Sequence, residues 1–162
     1  MTDRTQLSPG GAIVIGVFFG VMGTIVILIA RGAFGPGHLS DGTPPWVGIA
    51  AGALFVLGGL ALIVGYGVAG GVGANGDLPP GTPRGVRLVQ TALGLGITAL
   101  LASIASWVAF GAGSRHFRGT GPFISGPVSE MLGRAMFGIG AVLMWVFMAV
   151  MVVVAVNRLR EP

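Results

Sequence analysis

The segment from Met131 to Val156 reads MLGRAMFGIGAVLMWVFMAVMVVVAV, and Arg134 is its only charged residue. An α-helix rises about 1.5 Å per residue, so a helix of about 20 apolar residues crosses the roughly 30 Å of hydrocarbon in a lipid bilayer. This segment exceeds that length and is apolar on every helical face. It therefore predicts a transmembrane helix.

Three earlier segments of the chain have the same character. The four segments predict helices at about residues 11–30, 46–71, 86–110 and 131–156. None of them alternates apolar and polar residues with a period of two, as the strands of a membrane β-barrel do. The sequence therefore predicts an all-α, polytopic membrane protein, with four transmembrane helices in one domain that covers residues 1–162.

The charge content of the chain supports this class. Only 9% of the 162 residues are charged, whereas about a quarter of the residues of an ordinary soluble domain are charged. The net charge of +4 comes from nine arginines that are scattered singly or in pairs through the loops. Nucleic-acid binding requires a clustered basic face. We therefore expect the lipid bilayer as a partner and no nucleic acid.

The residue types that usually carry chemistry are absent from the predicted helices. The chain has no cysteine, which excludes thiol catalysis, Cys-ligated zinc and iron–sulfur clusters. The helix cores also hold no histidine and no carboxylate, which proton relays and haem sites in membranes need. We predict no catalytic residue, no cofactor and no metal, and hence a protein that is not an enzyme.

Four loop residues offer an alternative to this prediction. His38 and His116 lie in the first and third loops, on the same side of the membrane, and Asp41 and Glu130 could join them. Histidine and carboxylate ligands together suit several divalent metals. No two of these residues have a ligand spacing such as H-x-x-x-H, so solvated loop side chains are the favoured interpretation.

The third segment carries a small polar face made of Thr98, Ser103 and Ser106. In membrane helices such hydroxyls commonly donate to the carbonyl one turn back or to a neighbouring helix. We favour that structural role over a polar conduction path. Gln90 lies near the start of the same segment, beside Arg87, and is expected to reach the membrane interface.

Glu130 and Arg134 lie at the start of the fourth segment. Their spacing of four, with the acid first, favours a helical ion pair worth a few tenths of a kcal/mol, roughly, when exposed. If the helix ends near Asn157, about 20 residues of hydrocarbon leave Arg134 roughly one turn outside. Its guanidinium then reaches the headgroups. We expect an interfacial ion pair rather than a functional site.

Small residues spaced four apart predict how the helices associate. Lipid tails are as apolar as leucine, so membrane helices associate through close backbone approach, which small residues permit. The pairs are Gly16 with Gly20, Gly48 with Gly52, Ala92 with Gly96, and Ala99 with Ser103. Together they favour a compact four-helix bundle over any particular dimer contact.

The chain also matches itself at a shift of 82 residues. The aligned pairs include Pro45 with Pro127, Ala53 with Ala135, Phe55 with Phe137, Gly58 with Gly140 and Val64 with Val146. A duplication would make residues 1–80 and 83–162 two repeated helical hairpins in the same orientation, a construction known among transporters. The alternative is that two hairpins of similar length share a proline at the helix start and little else.

The arginines predict the orientation of the chain. One side would hold Arg4, Arg84, Arg87, Arg158 and Arg160, and the other Arg31, Arg115, Arg118 and Arg134. The positive-inside rule assigns the larger set to the cytoplasm. We therefore expect a multi-pass protein of a bacterial inner (plasma) membrane with both termini in the cytoplasm.

Two functional hypotheses follow from these observations. The leading one is a small integral membrane protein without catalytic activity, which is a structural or accessory subunit or a self-associating bundle. Its basis is that the loops are too short to form a domain and the helix cores too apolar for chemistry. The alternative is a passive or facilitative transporter of a small neutral solute, built from the two repeated hairpins.

Overall fold

The computed structural model describes residues 8–35, 43–72, 78–112 and 127–160, with side chains for 130–157 in the last range. Four α-helices occupy most of them. They are α1 (Pro9–Ala30), α2 (Pro45–Leu62), α3 (Arg84–Phe110) and α4 (Pro127–Arg160), and α2 continues into a π-helical turn, Ile63–Val68. No strand occurs within these ranges, so the prediction of an all-α chain is confirmed for the described residues.

Each of the four helices is long and apolar enough to cross a membrane. The candidate spans are Pro9–Ala30, Pro45–Val68, Arg84–Phe110 and Glu130–Asn157, which contain 22, 24, 27 and 28 residues. The mean hydropathy of their most apolar windows runs from 1.9 to 2.8. All exceed the roughly 20 residues that a bilayer requires. The prediction of four helices long and apolar enough to span a membrane is confirmed for the described residues, and such helices are what a multi-pass membrane protein needs.

Proline marks the start of three of the helices. The helices α1, α2 and α4 begin at Pro9, Pro45 and Pro127, respectively. Proline is tolerated there because the first N–H groups of a helix have no partner within the helix. In α1 the preceding Ser8 also caps the helix, since its Oγ accepts a hydrogen bond of 3.1 Å from the backbone N–H of Gly11.

The helix predicted at residues 46–71 is not α-helical to its end. Beyond Leu62 the chain adopts π-helical geometry, and the N–H of Ala69 donates to the carbonyl of Val64, five residues back, at 2.9 Å. Gly70 and Gly71 then end the helix with φ values of 78° and 144°, which favour glycine. We call Ile63–Val68 the π-turn below.

The described residues divide into two compact units. Their boundary along the chain falls within α3, between Ile97 and Thr98. The first unit contains α1, α2, the π-turn and the first part of α3, and the second contains the rest of α3 and α4. Their cores consist of small residues, and no large described side chain is fully buried. The buried apolar residues are Ala12, Ala30, Ala50, Ala102, Ala109 and Ala141. Helix packing in each unit therefore depends on close backbone approach.

Candidate functional site

The contact between α1 and α2 brings the two backbones close together, and its first point is Gly23 against Gly52. A Cβ atom placed on Gly52 would lie 2.6 Å from the carbonyl oxygen of Gly23, and one on Gly23 would meet the carbonyl oxygen of Gly52. Both obstacles are backbone atoms, which cannot turn aside as a flexible side chain can. Only glycine therefore fits at either position.

A second contact of the same kind joins Gly16 to Gly59. A Cβ on Gly16 would lie 2.6 Å from the carbonyl oxygen of Gly59 and 2.5 Å from Cγ1 of Ile63, and one on Gly59 would meet the carbonyl oxygen of Gly16. Reciprocal approaches of this type permit weak Cα–H···O contacts, worth about 0.5–1 kcal/mol each. The two glycine pairs hold the helices together at backbone distance.

The four glycines repeat with a spacing of seven in both helices. Gly16 and Gly23 are seven apart on α1, and Gly52 and Gly59 are seven apart on α2. Seven residues make about two helical turns, so each pair lies on one face of its helix. We call these four residues the glycine contact.

The predicted small-residue pairs on α1 and α2 contribute one member each to the glycine contact. Gly16 and Gly52 belong to it, whereas a Cβ on Gly20 would meet nothing within 4 Å, and Gly48 is half-buried. Sequence reasoning missed Gly23 and Gly59. The signal that could have found them is the shared spacing of seven in two neighbouring segments.

The other two predicted pairs lie on α3. Gly96 faces α2, because a Cβ there would lie 3.3 Å from Cδ1 of Leu57, but Ala92 is exposed. Ala99 and Ser103 are both half-buried. The structure does not bring both Ala92 and Gly96 to one contact.

A polar position lies beside the π-turn in the first unit. Gly65 is buried, and a Cβ on it would lie 3.4 Å from Nε2 of Gln90 on α3. Oε1 of Gln90 is buried, and no described residue donates a hydrogen bond to it. Gln90 is half-buried, and its position relative to the membrane interface stays a prediction. A buried acceptor without a donor costs about 1–3 kcal/mol.

The hydroxyl groups of Ser103 and Ser106, on the predicted polar face of α3, make hydrogen bonds within the second unit. Oγ of Ser103 donates to the carbonyl of Ala99 at 2.8 Å, and Oγ of Ser106 donates to that of Ala102 at 2.7 Å. Ser106 also accepts a 3.1 Å hydrogen bond from Nε1 of Trp145 on α4. Thr98 is buried. The hydroxyls of Ser103 and Ser106 therefore donate to backbone carbonyls of α3, and that of Ser106 also links α3 to α4.

Glu130 and Arg134 lie close together near the start of α4. Nη2 of Arg134 is 3.2 Å from Oε1 of Glu130, and the two side chains are 31% and 33% exposed. Nη1 of Arg134 also donates to the carbonyl of Gly111, just after α3, at 3.4 Å. The spacing of the pair indicated the first contact. The second depends on the position of α3 and was not predicted.

An apolar groove of about 480 Å³ lies on the first unit. Its lining residues are Phe19, Ala51, Leu54, Phe55, Gly58 and Leu62. The rings of Phe19 and Phe55 stack with centroids 5.8 Å apart. A groove with this lining suits hydrocarbon and offers no polar group to orient a reacting molecule.

The metal-site alternative lies mostly beyond the described ranges. His38, Asp41 and His116 fall outside them, and Glu130 is the only one of the four proposed ligands that the structure describes. Within the described ranges there is no group of three or more histidine, cysteine, aspartate or glutamate side chains.

No protein-family model, no curated protein and no solved structure matches this chain.

Proposed function

We propose that the chain is a small integral membrane protein without catalytic activity, which acts as a structural or accessory subunit or assembles with copies of itself. The exposure of α4 carries this proposal. Only 6% of its most apolar window is buried, against 17–22% in the other three helices. In a bilayer, the exposed apolar faces of a helix are covered either by lipid or by another helix.

The hydrogen bonds of the helix hydroxyls support a role without catalysis. The hydroxyls of Thr24, Thr91, Ser103 and Ser106 each donate to the carbonyl four residues back. A nucleophilic hydroxyl instead needs a general base within hydrogen-bonding reach. Among the described residues, no histidine or carboxylate is bonded to any of these four groups.

The proposed location is a bacterial inner (plasma) membrane, with both termini in the cytoplasm. The support is the arginine distribution, in which five arginines lie on the side of the termini and four on the other side. The first and third loops would then face the exterior.

The assembly of the full-length protein tests the proposed role. The chain has no native cysteine, so a single cysteine at Val142 or Val153 of α4, which are 57% and 58% exposed, reports on contacts of that helix. After crosslinking in native membranes and purification in mild detergent, we expect a product that contains a second copy or another membrane protein. A control cysteine at Val14 of α1, which is 70% exposed, should stay uncrosslinked.

Two outcomes would count against this role. The first is a protein that migrates as a monomer without any partner, with no crosslink at Val142 or Val153. The second is equal crosslinking at Val14, since random collisions in the membrane would produce it.

The second candidate function is passive or facilitative transport of a small neutral solute. The observation that favours it is a partial match in burial between the two halves at the 82-residue shift. Gly16 and Gly59 of the glycine contact correspond to Thr98 and Ala141, and all four residues are buried. Gly23 and Gly52 correspond to Ala105 and Arg134, which are half-buried. The two matching positions support the duplication of a hairpin, which is a construction used by transporters.

The rate at which a neutral solute enters liposomes distinguishes the accessory role from the transport role. The purified protein is reconstituted into liposomes, and the entry of urea and of glycerol is followed by light scattering. An accessory role predicts the rates of protein-free liposomes. Rates that rise in proportion to the protein content, and that saturate with solute, would support transport instead.

A further inference from the structure

The neighbourhood of Gln90 combines two unusual features of the first unit. The first is the π-turn, since π-helical turns are rare and are frequently found at functional sites. The second is the buried carbonyl oxygen of Gln90, to which no described residue donates. Gly65 connects the two, because it lies in the π-turn and a Cβ on it would be 3.4 Å from Nε2 of Gln90.

We propose that Oε1 of Gln90 binds one ordered water molecule, which joins α3 to the π-turn. This site is separate from the surfaces that the proposed function uses. Buried water usually makes about three hydrogen bonds to polar groups that lack other partners. The amide oxygen of Gln90 accepts one hydrogen bond from the water, and a backbone carbonyl of the π-turn accepts the second.

The neighbouring polar side chains on α3 donate to backbone carbonyls. Oγ1 of Thr91 donates to the carbonyl of Arg87 at 2.9 Å, and Nη2 of Arg87 donates to the carbonyl of Thr82 at 3.3 Å. No donor to Oε1 of Gln90 is found among the described residues. Because Oε1 is buried, the donor must be small enough to be enclosed, which selects water over a lipid headgroup.

The geometry of the π-turn explains where the water finds its second acceptor. The carbonyls of Val64 and Gly65 accept from the N–H groups of Ala69 and Gly71, five and six residues on, at 2.9 and 3.0 Å. A carbonyl oxygen has two lone pairs, so either of these oxygens can accept from a second donor. The missing side chain of Gly65 leaves the amide of Gln90 close to this backbone.

Selective labelling of glutamine gives a direct test. The sequence holds only one other glutamine, Gln6, so protein labelled with ¹⁵N at the glutamine side chain gives two amide signals, and Gln6→Ala identifies that of Gln90. In lipid nanodiscs, we expect a rotating-frame Overhauser cross-peak between this amide and water, with the sign of a bound molecule rather than of proton exchange. A Gln90 amide without that cross-peak would overturn the proposal.

Two alanine variants test whether the site depends on Gly65. Gly65→Ala places a methyl group 2.7 Å from Cγ2 of Val72 and 3.4 Å from Nε2 of Gln90, and the resulting shift of these side chains should abolish the water cross-peak. Gly58→Ala is the matched control on the same helix, because its Cβ would meet nothing within 4 Å, and it should leave the cross-peak unchanged. Loss in both variants, or in neither, contradicts a water held between Gln90 and the π-turn. If Gly65→Ala fails to fold, the result for the unmodified protein decides.

Discussion

Four residues without side chains determine how closely α1 and α2 approach each other. At Gly23 and Gly52, and again at Gly16 and Gly59, the neighbour that a Cβ would strike is a carbonyl oxygen of the opposite helix. Relief would require the two helices to move apart, which would also loosen the contacts around them. The glycine contact is therefore more sensitive to substitution than other glycines on the same helices.

Gly23→Ala is expected to destabilise the first unit, while Gly20→Ala on the same helix is not. The added methyl group at Gly23 overlaps the backbone of Gly52, and overpacking of this kind costs about 1–3 kcal/mol. At Gly20 a Cβ meets nothing within 4 Å, so alanine should gain about 0.5–1 kcal/mol of helix propensity. The midpoint of thermal unfolding in detergent measures both.

This prediction is tested by which of the two variants has the higher midpoint of thermal unfolding. An unfolding midpoint for Gly23→Ala that equals or exceeds that of Gly20→Ala would show that α1 and α2 do not meet at Gly23. Measuring both variants in one detergent removes the effect of the micelle on the midpoint.

Sequence reasoning found half of the glycine contact for a physical reason. A spacing of four suffices for helices that cross at a point, and it selected Gly16 and Gly52. Gly23 and Gly59 become visible only when two helices run side by side over several turns, so that the contact repeats after two turns. That condition depends on the partner helix, which a single segment does not reveal.

At the scale of the element, the apolar pattern located each helix to within a few residues. The segment predicted at 46–71 nevertheless contains the π-turn, Ile63–Val68. α- and π-helical turns bury the same residue types and differ in which backbone groups are bonded, so hydropathy does not separate them. The burial of Oε1 of Gln90 also escaped prediction, since it depends on how α3 packs in the first unit, which hydropathy does not show.

The junction between the end of α3 and the start of α4 yields a prediction about Arg134. Arg134→Met removes both the contact with Glu130 and the hydrogen bond to the carbonyl of Gly111, whereas Glu130→Gln removes the charge of the ion pair and leaves the hydrogen bond to Gly111 in place. The pair is about one-third exposed, so Glu130→Gln should cost less than about 0.5 kcal/mol. Arg134→Met should cost more, because it also leaves a helix-end carbonyl without its donor.

Thermal unfolding at two salt concentrations measures this difference. The effect of Glu130→Gln should shrink at high salt, which screens exposed charges. The part of the Arg134→Met effect that comes from the Gly111 carbonyl should persist. Equal and fully salt-sensitive effects for the two variants would mean that the hydrogen bond to Gly111 contributes nothing.

At the scale of the whole molecule, orientation in the membrane is the property that the arginines predict. Single cysteines at Ser40, Ser114 and Thr82 can be challenged in intact cells with a thiol reagent that does not cross membranes. We expect labelling of Ser40→Cys and Ser114→Cys and protection of Thr82→Cys. Solubilised protein serves as the control, since all three cysteines should then react.

The opposite labelling pattern would reverse the orientation and leave the number of spans unchanged. The arginine sets differ by a single residue, so this prediction depends on a small electrostatic bias. The number of spans depends instead on four apolar stretches, each longer than the bilayer requires.

The glycine contact also has a consequence for the entropy of helix association. Burying a long side chain at a helix interface freezes its rotamers, at a cost of up to about 2 kcal/mol, whereas glycine has no rotamers to lose. At its four central positions the hairpin of α1 and α2 therefore closes without that loss. We expect the free energy of association of α1 with α2 to depend less on temperature than that of a hairpin joined through leucine or methionine. The two helices should also associate without first selecting particular side-chain rotamers at these four positions.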